Sequence, residues 1–212
     1  MSRFTHLHTH SHYSLLNALP KLPKLVAAAK NDGMEALALT DAGNLYGAIE
    51  FYKECTKQEI KPIIGVDFYL APRSRHDKQS GVDNRWFRLV LLAENTAGYK
   101  NLIKLVTAGY TEGFYYKPRI DRELLETHTD GVIAIVPSFS GDIARALEHD
   151  DYERARERLE WYRENFGEKN LYLELTHHPE ISGHEEKMAK LTAFAEEQEV
   201  PLVAAHDVYY LA

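Results

Sequence analysis

Apolar runs of strand length alternate along the chain with segments in which apolar residues recur three and four positions apart. The apolar runs predict strands at residues 4–8, 36–40, 62–70, 87–93, 131–136, 171–175 and 201–205. The helical periodicity predicts helices at residues 22–31, 45–56, 97–111, 142–148, 151–165 and 184–198. The polar segment 73–85 contains glycine and has no period, so we expect a flexible loop there.

Seven strands with helices between them favour parallel pairing through right-handed crossovers. Several strands are apolar almost throughout, which fits a sheet covered on both faces or closed into a barrel. No repeat or linker interrupts the pattern, so we expect residues 1–212 to form one α/β domain. Ligand sites in such folds gather at the carboxyl ends of the strands. The polar residues that follow the predicted strands are His8, His10, Asp41, Asp67, Arg88, Ser138, His177, His178, His206 and Asp207.

Histidines stand at four alternate positions near the start of the chain, which holds 11 histidines in all. In an extended segment residues i and i+2 point the same way, so His8 and His10 can converge on one ion. Imidazoles combined with carboxylates suit zinc, manganese or iron. An isolated pair of this kind is a weak signal, because alternating histidines also occur on solvated strands.

Composition and charge argue against some classes of function. Hydrophobic residues make up 44% and charged residues 27%, and the formal net charge is −7. A module that grips phosphate backbones with its whole surface is usually basic, so a stand-alone DNA-binding module is disfavoured. No apolar run approaches the roughly 20 residues that span a bilayer. Cys55 is the one cysteine and cannot form an internal disulfide. We therefore expect a cytoplasmic protein without membrane association.

Five motifs occur in order along the chain: residues 6–16 (HLHTHSHYSLL), 38–47 (ALTDAGNLYG), 61–67 (KPIIGVD), 110–121 (YTEGFYYKPRID) and 204–211 (AAHDVYYL). Together they resemble the PHP (polymerase and histidinol phosphatase) domains of bacterial replicative polymerases, the DNA polymerase III alpha subunits. The fourth motif is similar to a stretch typical of these polymerases and not of stand-alone phosphatases. The resemblance covers essentially the whole chain.

The resemblance implies a distorted (β/α)7 barrel whose active members bind up to three metals through nine ligands. The first metal site would use His8, His10, Asp67 and Asp207, and Asp67 stands where the family usually has glutamate. The side chains that would hydrogen-bond to such ligands are Asp41, His178 and His206. For Asp41, capping of the following helix is the favoured alternative, as it is for Asn44.

The other two implied metal sites are expected to be degenerate. The second would have Asn17, Ala42 and Tyr209 at its ligand positions, and the third Arg88 and Ser138. A guanidinium cannot coordinate a metal, but it can place a fixed positive charge near Asp67. We therefore expect at most one divalent ion (zinc, manganese or iron), or none, and largely lost phosphoesterase activity.

The implied role is that of the N-terminal domain of a polymerase alpha subunit in chromosomal DNA replication. The domain would support the remainder of the subunit, dock a proofreading exonuclease subunit and meet DNA through the full-length protein. DNA-directed DNA polymerase (nucleotidyltransferase) activity and its magnesium would belong to a polymerase domain outside this chain, so we expect a fragment of a larger protein. The alternative is an active metal-dependent phosphoesterase, either a 3′–5′ exonuclease or a pyrophosphatase. A histidinol phosphatase is disfavoured by residues 111–121.

Overall fold

The computed structural model of this chain describes residues 4–211. Its helices are α1 (Leu22–Asn31), α2 (Ala48–Lys57), α3 (Thr96–Thr111), α4 (Arg122–Leu125), α5 (Asp142–Glu148), α6 (Tyr152–Phe166) and α7 (His184–Glu197). Its strands are β1 (Ala36–Leu39), β2 (Lys61–Leu70), β3 (Phe87–Ala93), β4 (Phe114–Tyr115), β5 (Lys117–Ile120), β6 (Val132–Val136), β7 (Leu171–Leu175) and β8 (Leu202–Ala204). Within the described residues, no helix is both long enough and apolar enough to cross a membrane.

The strands form a single curled sheet in the order β4-β5-β2-β3-β6-β7-β8, with β1 paired to β2. The segment around His8 lies between β1 and the residues that follow β8, and it closes the sheet there. The Ala38 amide donates to the His6 carbonyl at 2.9 Å, and the Val208 amide donates to the His8 carbonyl at 3.0 Å. The chain is therefore a distorted barrel, as expected. The predicted strand at residues 4–8 is not a regular strand, although its backbone makes these two hydrogen bonds. The next residue, Thr9, forms an isolated bridge with Val208.

The prediction of parallel pairing is wrong for β3. This strand runs antiparallel to both of its neighbours, β2 and β6, whereas β6–β7 and β7–β8 are parallel. Parallel neighbours need a crossover, usually a helix. The connection between β2 and β3 contains no helix, so the chain returns beside β2 in the opposite direction.

Three local features differ from the sequence prediction. The hairpin β4–β5 was not expected, and it turns at Tyr116, whose φ is +60°. The helix α2 begins at Ala48, three residues later than predicted, after Gly47 with no side-chain cap. Capping by Asp41 or Asn44 is therefore wrong. Asn44 instead donates to the Ala42 carbonyl at 3.0 Å and accepts from the Tyr46 amide at 3.1 Å.

Helices cover the outside of the sheet, and a small apolar cluster fills the inside of the barrel. The interior cluster comprises Ala38, Val90, Leu92 and Ile135, with Leu7, Ile63, Ile133, Tyr172 and Val203 packed against it. Alternate residues of a strand point to the same face. The interior faces of β2, β3 and β7 therefore pass from these apolar residues to polar ones at one end of the barrel.

The loop 73–85 has no regular structure, as predicted, but a buried side chain holds it. Arg119 is fully buried and donates to the carbonyls of Arg75 (3.0 Å), Asp77 (2.9 Å) and Asp83 (2.8 Å). Arg73 also forms a two-point ion pair with the buried Asp83. Because Arg119 lies in β5, its hydrogen bonds anchor the loop to that strand.

Candidate metal centre

The strand period sets which side chains meet at the polar end of the barrel. Asp67 lies four residues after Ile63 in β2, and Glu174 lies two residues after Tyr172 in β7. Arg88 precedes Val90 by two residues in β3, which runs the opposite way. All three therefore share the interior face with the apolar cluster. Asp67 and Glu174 contact His8, which the closing segment supplies, and Arg88 contacts Asp67.

Three of the four residues predicted for the first metal site form a compact triad. His8 Nε2 lies 3.2 Å from Asp67 Oδ2, and His10 Nε2 lies 3.6 Å from the same oxygen. All three side chains are buried. One donor atom from each lies within 4.8 Å of the others, which is a spacing that a single metal ion can bridge.

Arg88 forms an ion pair with Asp67, the carboxylate of this triad. Its Nε donates to Asp67 Oδ1 at 2.9 Å, and its terminal nitrogen donates to Asp67 Oδ2. The guanidinium also lies 4.1 Å from the centre of the Tyr69 ring, a cation–π contact. The pairing of Arg88 with Asp67 anticipated from the sequence is therefore present, and it uses both oxygens of the carboxylate.

Glu174 is a site residue that the sequence reasoning missed. It is buried, and its Oε1 accepts from His8 Nδ1 at 2.8 Å. Its Oε2 accepts from the Ser138 amide at 3.3 Å. The available signal was a glutamate inside the apolar strand LYLEL, because an acidic residue is almost never fully buried without a partner.

Burial and neighbouring charges set the protonation of the triad. Burial alone would lower the pKa of His8, but Glu174 and Asp67 raise it to about 10. Burial lowers the pKa of His10 to about 3; Asp67 acts in the opposite direction, and His8 and Arg88 lower the pKa further. Burial would raise the pKa of Asp67, yet the Arg88 guanidinium and His8 hold it well below its usual range. At neutral pH His8 is therefore an imidazolium, His10 is neutral and Asp67 is ionised.

Asp41 reaches His10 through a serine. The carboxylate accepts from the Ser11 amide at 2.7 Å and from the Ser14 hydroxyl at 2.6 Å. The Ser14 oxygen lies 3.1 Å from His10 Nδ1. Because the Ser14 hydroxyl donates to Asp41, it accepts from His10 Nδ1–H. The lone pair of His10 is thereby placed on Nε2, a buried atom without a hydrogen-bond partner in the described structure.

Asp207, the fourth predicted ligand, lies among different histidines. Its Oδ1 is 3.9 Å from His178 Nε2 and 3.9 Å from His206 Nδ1. Asp207 also lines a cavity of about 220 Å³ together with His8, Asp67 and Glu174. The structure thus places Asp207 at the mouth of the buried triad, in a second cluster of ligand-type side chains.

Four of the five positions expected to be degenerate line one cavity of about 380 Å³: Asn17, Ala42, Arg88 and Tyr209. Tyr209 stacks on His10, with ring centres 4.4 Å apart, and burial raises its pKa, so its phenol is neutral. Ser138 lies apart, with its hydroxyl 2.9 Å from that of Thr176. The residues lining this cavity therefore offer little to a cation.

The donor set of the triad fits one divalent ion. The unpartnered His10 Nε2 faces the Asp67 carboxylate, as a metal ligand would. An ion there has to displace the proton of His8 and share Asp67 with the guanidinium of Arg88. Such an ion would supply Lewis-acid polarisation of a phosphate oxygen.

The fold agrees with the comparisons to known proteins. The PHP domain profile matches residues 6–178, so the chain belongs to the PHP domain family. Among solved structures it is similar to a candidate metal-dependent phosphoesterase from Bifidobacterium adolescentis, with a TM-score of 0.62 and 10% identity over 99% of this chain and 89% of that one. An amidohydrolase from Chromobacterium violaceum gives a TM-score of 0.57 at 14% identity, covering 97% of this chain and 87% of the other. At these identities the likeness concerns the fold.

Curated relatives with similar sequences are DNA polymerase III alpha subunits. The chain is 43% identical to the DNA polymerase III subunit alpha of Borreliella burgdorferi over 99% of its own length and 18% of the relative. It is 42% identical to that of Treponema pallidum, over 98% of this chain and 18% of that protein, and 40% identical to that of Thermus aquaticus, over 99% and 17%. The chain thus spans less than a fifth of the length of these relatives.

Proposed function

We propose that residues 1–212 are a single PHP domain of a bacterial DNA polymerase III alpha subunit, acting in chromosomal replication in the cytoplasm. The curated relatives and the order of the motifs support this assignment. We further propose that its phosphoesterase centre is largely degenerate, so that the domain serves a structural and docking role. Polymerisation, and the magnesium that it needs, would belong to the remainder of the subunit.

The two-point contact of Arg88 with Asp67 carries the proposal that activity is lost. Metal-assisted phosphate ester hydrolysis needs ions that activate water and stabilise the leaving oxygen. Arg88 places a permanent positive charge on the one carboxylate shared by His8 and His10. Asn17 and Ala42 line the neighbouring cavity and add no anionic donor to it.

The activity test compares the chain with a reconstructed variant. Protein stripped with a chelator is reloaded with Zn²⁺ or Mn²⁺ and assayed on bis-p-nitrophenyl phosphate, pyrophosphate and 3′-labelled single-stranded DNA. We expect the wild type to be no more active than His10→Ala. The combined variant Asn17→Asp, Ala42→His, Arg88→His and Tyr209→His restores ligand chemistry and should gain metal-dependent turnover. Metal-dependent wild-type turnover that His10→Ala abolishes would falsify the loss of activity.

Metal content gives an independent measurement. Elemental analysis of protein purified without added metal should return between zero and one divalent ion per chain. A ratio near three would show that the cavity holds a full cluster despite Arg88, and the degenerate interpretation would have to be abandoned.

An active metal-dependent phosphoesterase, either a 3′–5′ exonuclease or a pyrophosphatase, is the second candidate. The observation that favours it is His10 Nε2, which is buried, unpartnered and directed at the Asp67 carboxylate. A histidine kept neutral in this orientation by Ser14 and Asp41 is arranged as a ligand would be. The assay above separates the two candidates directly.

The docking role concerns the remainder of the subunit and a proofreading exonuclease subunit. The length of the relatives supports the first partner, since more than four fifths of each lies outside the aligned region. Exposed apolar side chains at Leu15, Leu16 and Leu19 are of the kind that another domain covers. In a full-length subunit, Leu16→Ser with Leu19→Ser should lower the melting temperature, with no such drop in the 212-residue chain.

For the exonuclease, co-elution with the 212-residue chain in gel filtration is the supporting result, and separate elution at micromolar concentration is the contrary one.

A further inference from the structure

The rim of the barrel carries a second group of ligand-type side chains, outside the buried triad. It consists of His178, on the loop that follows β7, and of His206 and Asp207, on the segment that follows β8. We propose that these three residues form a separate binding site for one divalent cation of the zinc class. In this site Asp207 serves a rim ion instead of completing the His8, His10 and Asp67 set.

The distances from Asp207 to the two histidines fit a tetrahedral ion better than they fit hydrogen bonds, and the rings of His178 and His206 are in contact, with centres 4.4 Å apart. Asp207 Oδ1 lies 3.9 Å from both His178 Nε2 and His206 Nδ1, and the three donor atoms lie within 4.8 Å of one another. At 3.9 Å neither contact is a hydrogen bond. Ligand bonds of about 2.1 Å in tetrahedral geometry place donor atoms roughly 3.4 Å apart. A closure of about half an ångström brings Asp207 to that spacing from each histidine. The two histidine nitrogens, which lie within 4.8 Å of each other, need to approach by at most about 1.4 Å.

His178 is oriented as metal-bound histidines usually are. Its Nδ1 lies 3.0 Å from Glu180 Oε1, to which Nδ1–H donates, so the lone pair stands on Nε2, the nitrogen that faces Asp207. A carboxylate on the far ring nitrogen fixes the tautomer and increases the basicity of the ligand. The ring also packs edge-on against Phe139 and His184 at 5.5 and 5.4 Å between centres, which restricts its rotation.

The charges at the rim favour a cation there over one in the buried triad. Asp67 in the triad is paired with Arg88, whose charge is permanent. Within residues 4–211, the basic side chains at ion-pair distance from Asp207 are His178 and His206, and both are of the metal-ligand type. His206 is about half exposed, so water can complete the coordination. The proposed site is therefore a two-histidine, one-carboxylate site with an open position.

The test is titration of the chelator-treated chain with Co²⁺, followed by visible absorption and then by displacement with Zn²⁺. We expect one equivalent to bind with the strong visible bands of tetrahedral cobalt. His206→Ala and His178→Ala should each weaken binding by about 10- to 100-fold. His177→Ala is the matched control, an exposed histidine on the same loop, and it should bind as the wild type does.

Two results would overturn the inference. One is cobalt binding that both His206→Ala and His178→Ala leave unchanged, which would place the ion elsewhere. The other is the lack of saturable binding by the wild type up to millimolar cobalt. Circular dichroism confirms that each variant is folded, and the exposed position of His206 makes its replacement mild. The measurement is of binding without turnover, so its outcome is distinct from that of the phosphoesterase assay.

Discussion

At the scale of single residues, the ion pair between Arg88 and Asp67 links the stability of the chain to the chemistry of its site. The Asp67 side chain is buried and that of Arg88 nearly so. A carboxylate in that position needs a compensating positive charge. A metal ion could supply such a charge, and here a guanidinium does so permanently, so this domain needs no metal to be stable at this point.

Removing the guanidinium should therefore destabilise the metal-free protein. We expect Arg88→Met to lower the free energy of unfolding by about 3 kcal/mol, because it leaves a buried charge without its main partner. Urea denaturation in the presence of a chelator measures this. The double variant Arg88→Met with Asp67→Asn should lose less than Arg88→Met alone. An equal or larger loss in the double variant would mean that Arg88 acts through packing and not through its charge.

The imidazolium of His8 predicts a dependence of stability on pH. Its pKa is about 10 in the folded chain and near 6.5 when unfolded, so the folded state holds the proton more tightly. This contribution is complete below about pH 6.5 and is lost as the pH rises towards 10. Between pH 6 and 9 the free energy of unfolding should fall by about 3 kcal/mol in the presence of a chelator. His8→Gln should flatten this fall, and an unchanged slope in that variant would count against a protonated His8.

Sequence reasoning brought His8, His10, Asp67 and Arg88 to one end of the barrel, where the structure has them, because each lies in or beside an apolar strand. It missed Glu174, whose importance depends on which face of β7 points inwards. It did not predict that Asp207 lies beside His178 and His206. The segment after β8 is irregular and directs Asp207 towards His178, a relation that strand periodicity does not encode.

At the scale of elements, two glycines of α3 have opposite surroundings. A Cβ at Gly98 would lie 1.8 Å from the carbonyl oxygen of Gly131, a clash with backbone. A Cβ at Gly109 would meet nothing closer than 3.5 Å. The same substitution in one helix should therefore have different outcomes.

We expect Gly98→Ala to destabilise the chain by at least 1–3 kcal/mol, the usual range for overpacking. Gly109→Ala should be neutral or stabilise by up to about 1 kcal/mol, because alanine is the better helix former. Thermal or urea unfolding of the two variants side by side measures the difference. Similar effects of both would contradict the close approach of α3 to Gly131.

The direction of β3 shows where element prediction from sequence reaches its limit. Its bounds were predicted correctly, since the run FRLVLLA is apolar and bordered by polar residues. Its direction depends on the path of residues 71–86, which carry no helical or strand period. The hairpin β4–β5 was missed for a related reason, because its strands are only two and four residues long.

At the scale of the whole molecule, Arg119 connects the hairpin to the long loop beside the site. Arg119 is fully buried and donates to the backbone carbonyls of residues 75, 77 and 83. These hydrogen bonds hold the loop in place. The loop leads directly into β3, and therefore to Arg88. The position of the guanidinium in the site thus depends in part on a residue remote from it in sequence.

We expect Arg119→Met to accelerate amide hydrogen exchange in residues 73–85 by at least 10-fold, because the carbonyls that Arg119 holds lose their donors. The free energy of unfolding should fall by about 3 kcal/mol or more, since each unpaired buried acceptor costs about 1 kcal/mol or more. Arg154→Met, at an exposed arginine of α6, is the control and should change neither quantity. Exchange that stays slow in Arg119→Met would show that the ion pairs of Arg73 with Asp83 and of Arg75 with Asp121 secure the loop without Arg119.

The hydrogen bonds that close the barrel, between Val208 and the strand-like segment at His8 and His10, have a consequence for synthesis on the ribosome. The two halves of that seam lie about 200 residues apart, and translation at 5–20 residues per second separates their emergence by roughly 10–40 s. During that interval the backbone at His8 and His10 lacks the hydrogen-bond partner that Val208 provides. The assembly of the nascent site therefore waits for the last stretch of the domain to leave the exit tunnel.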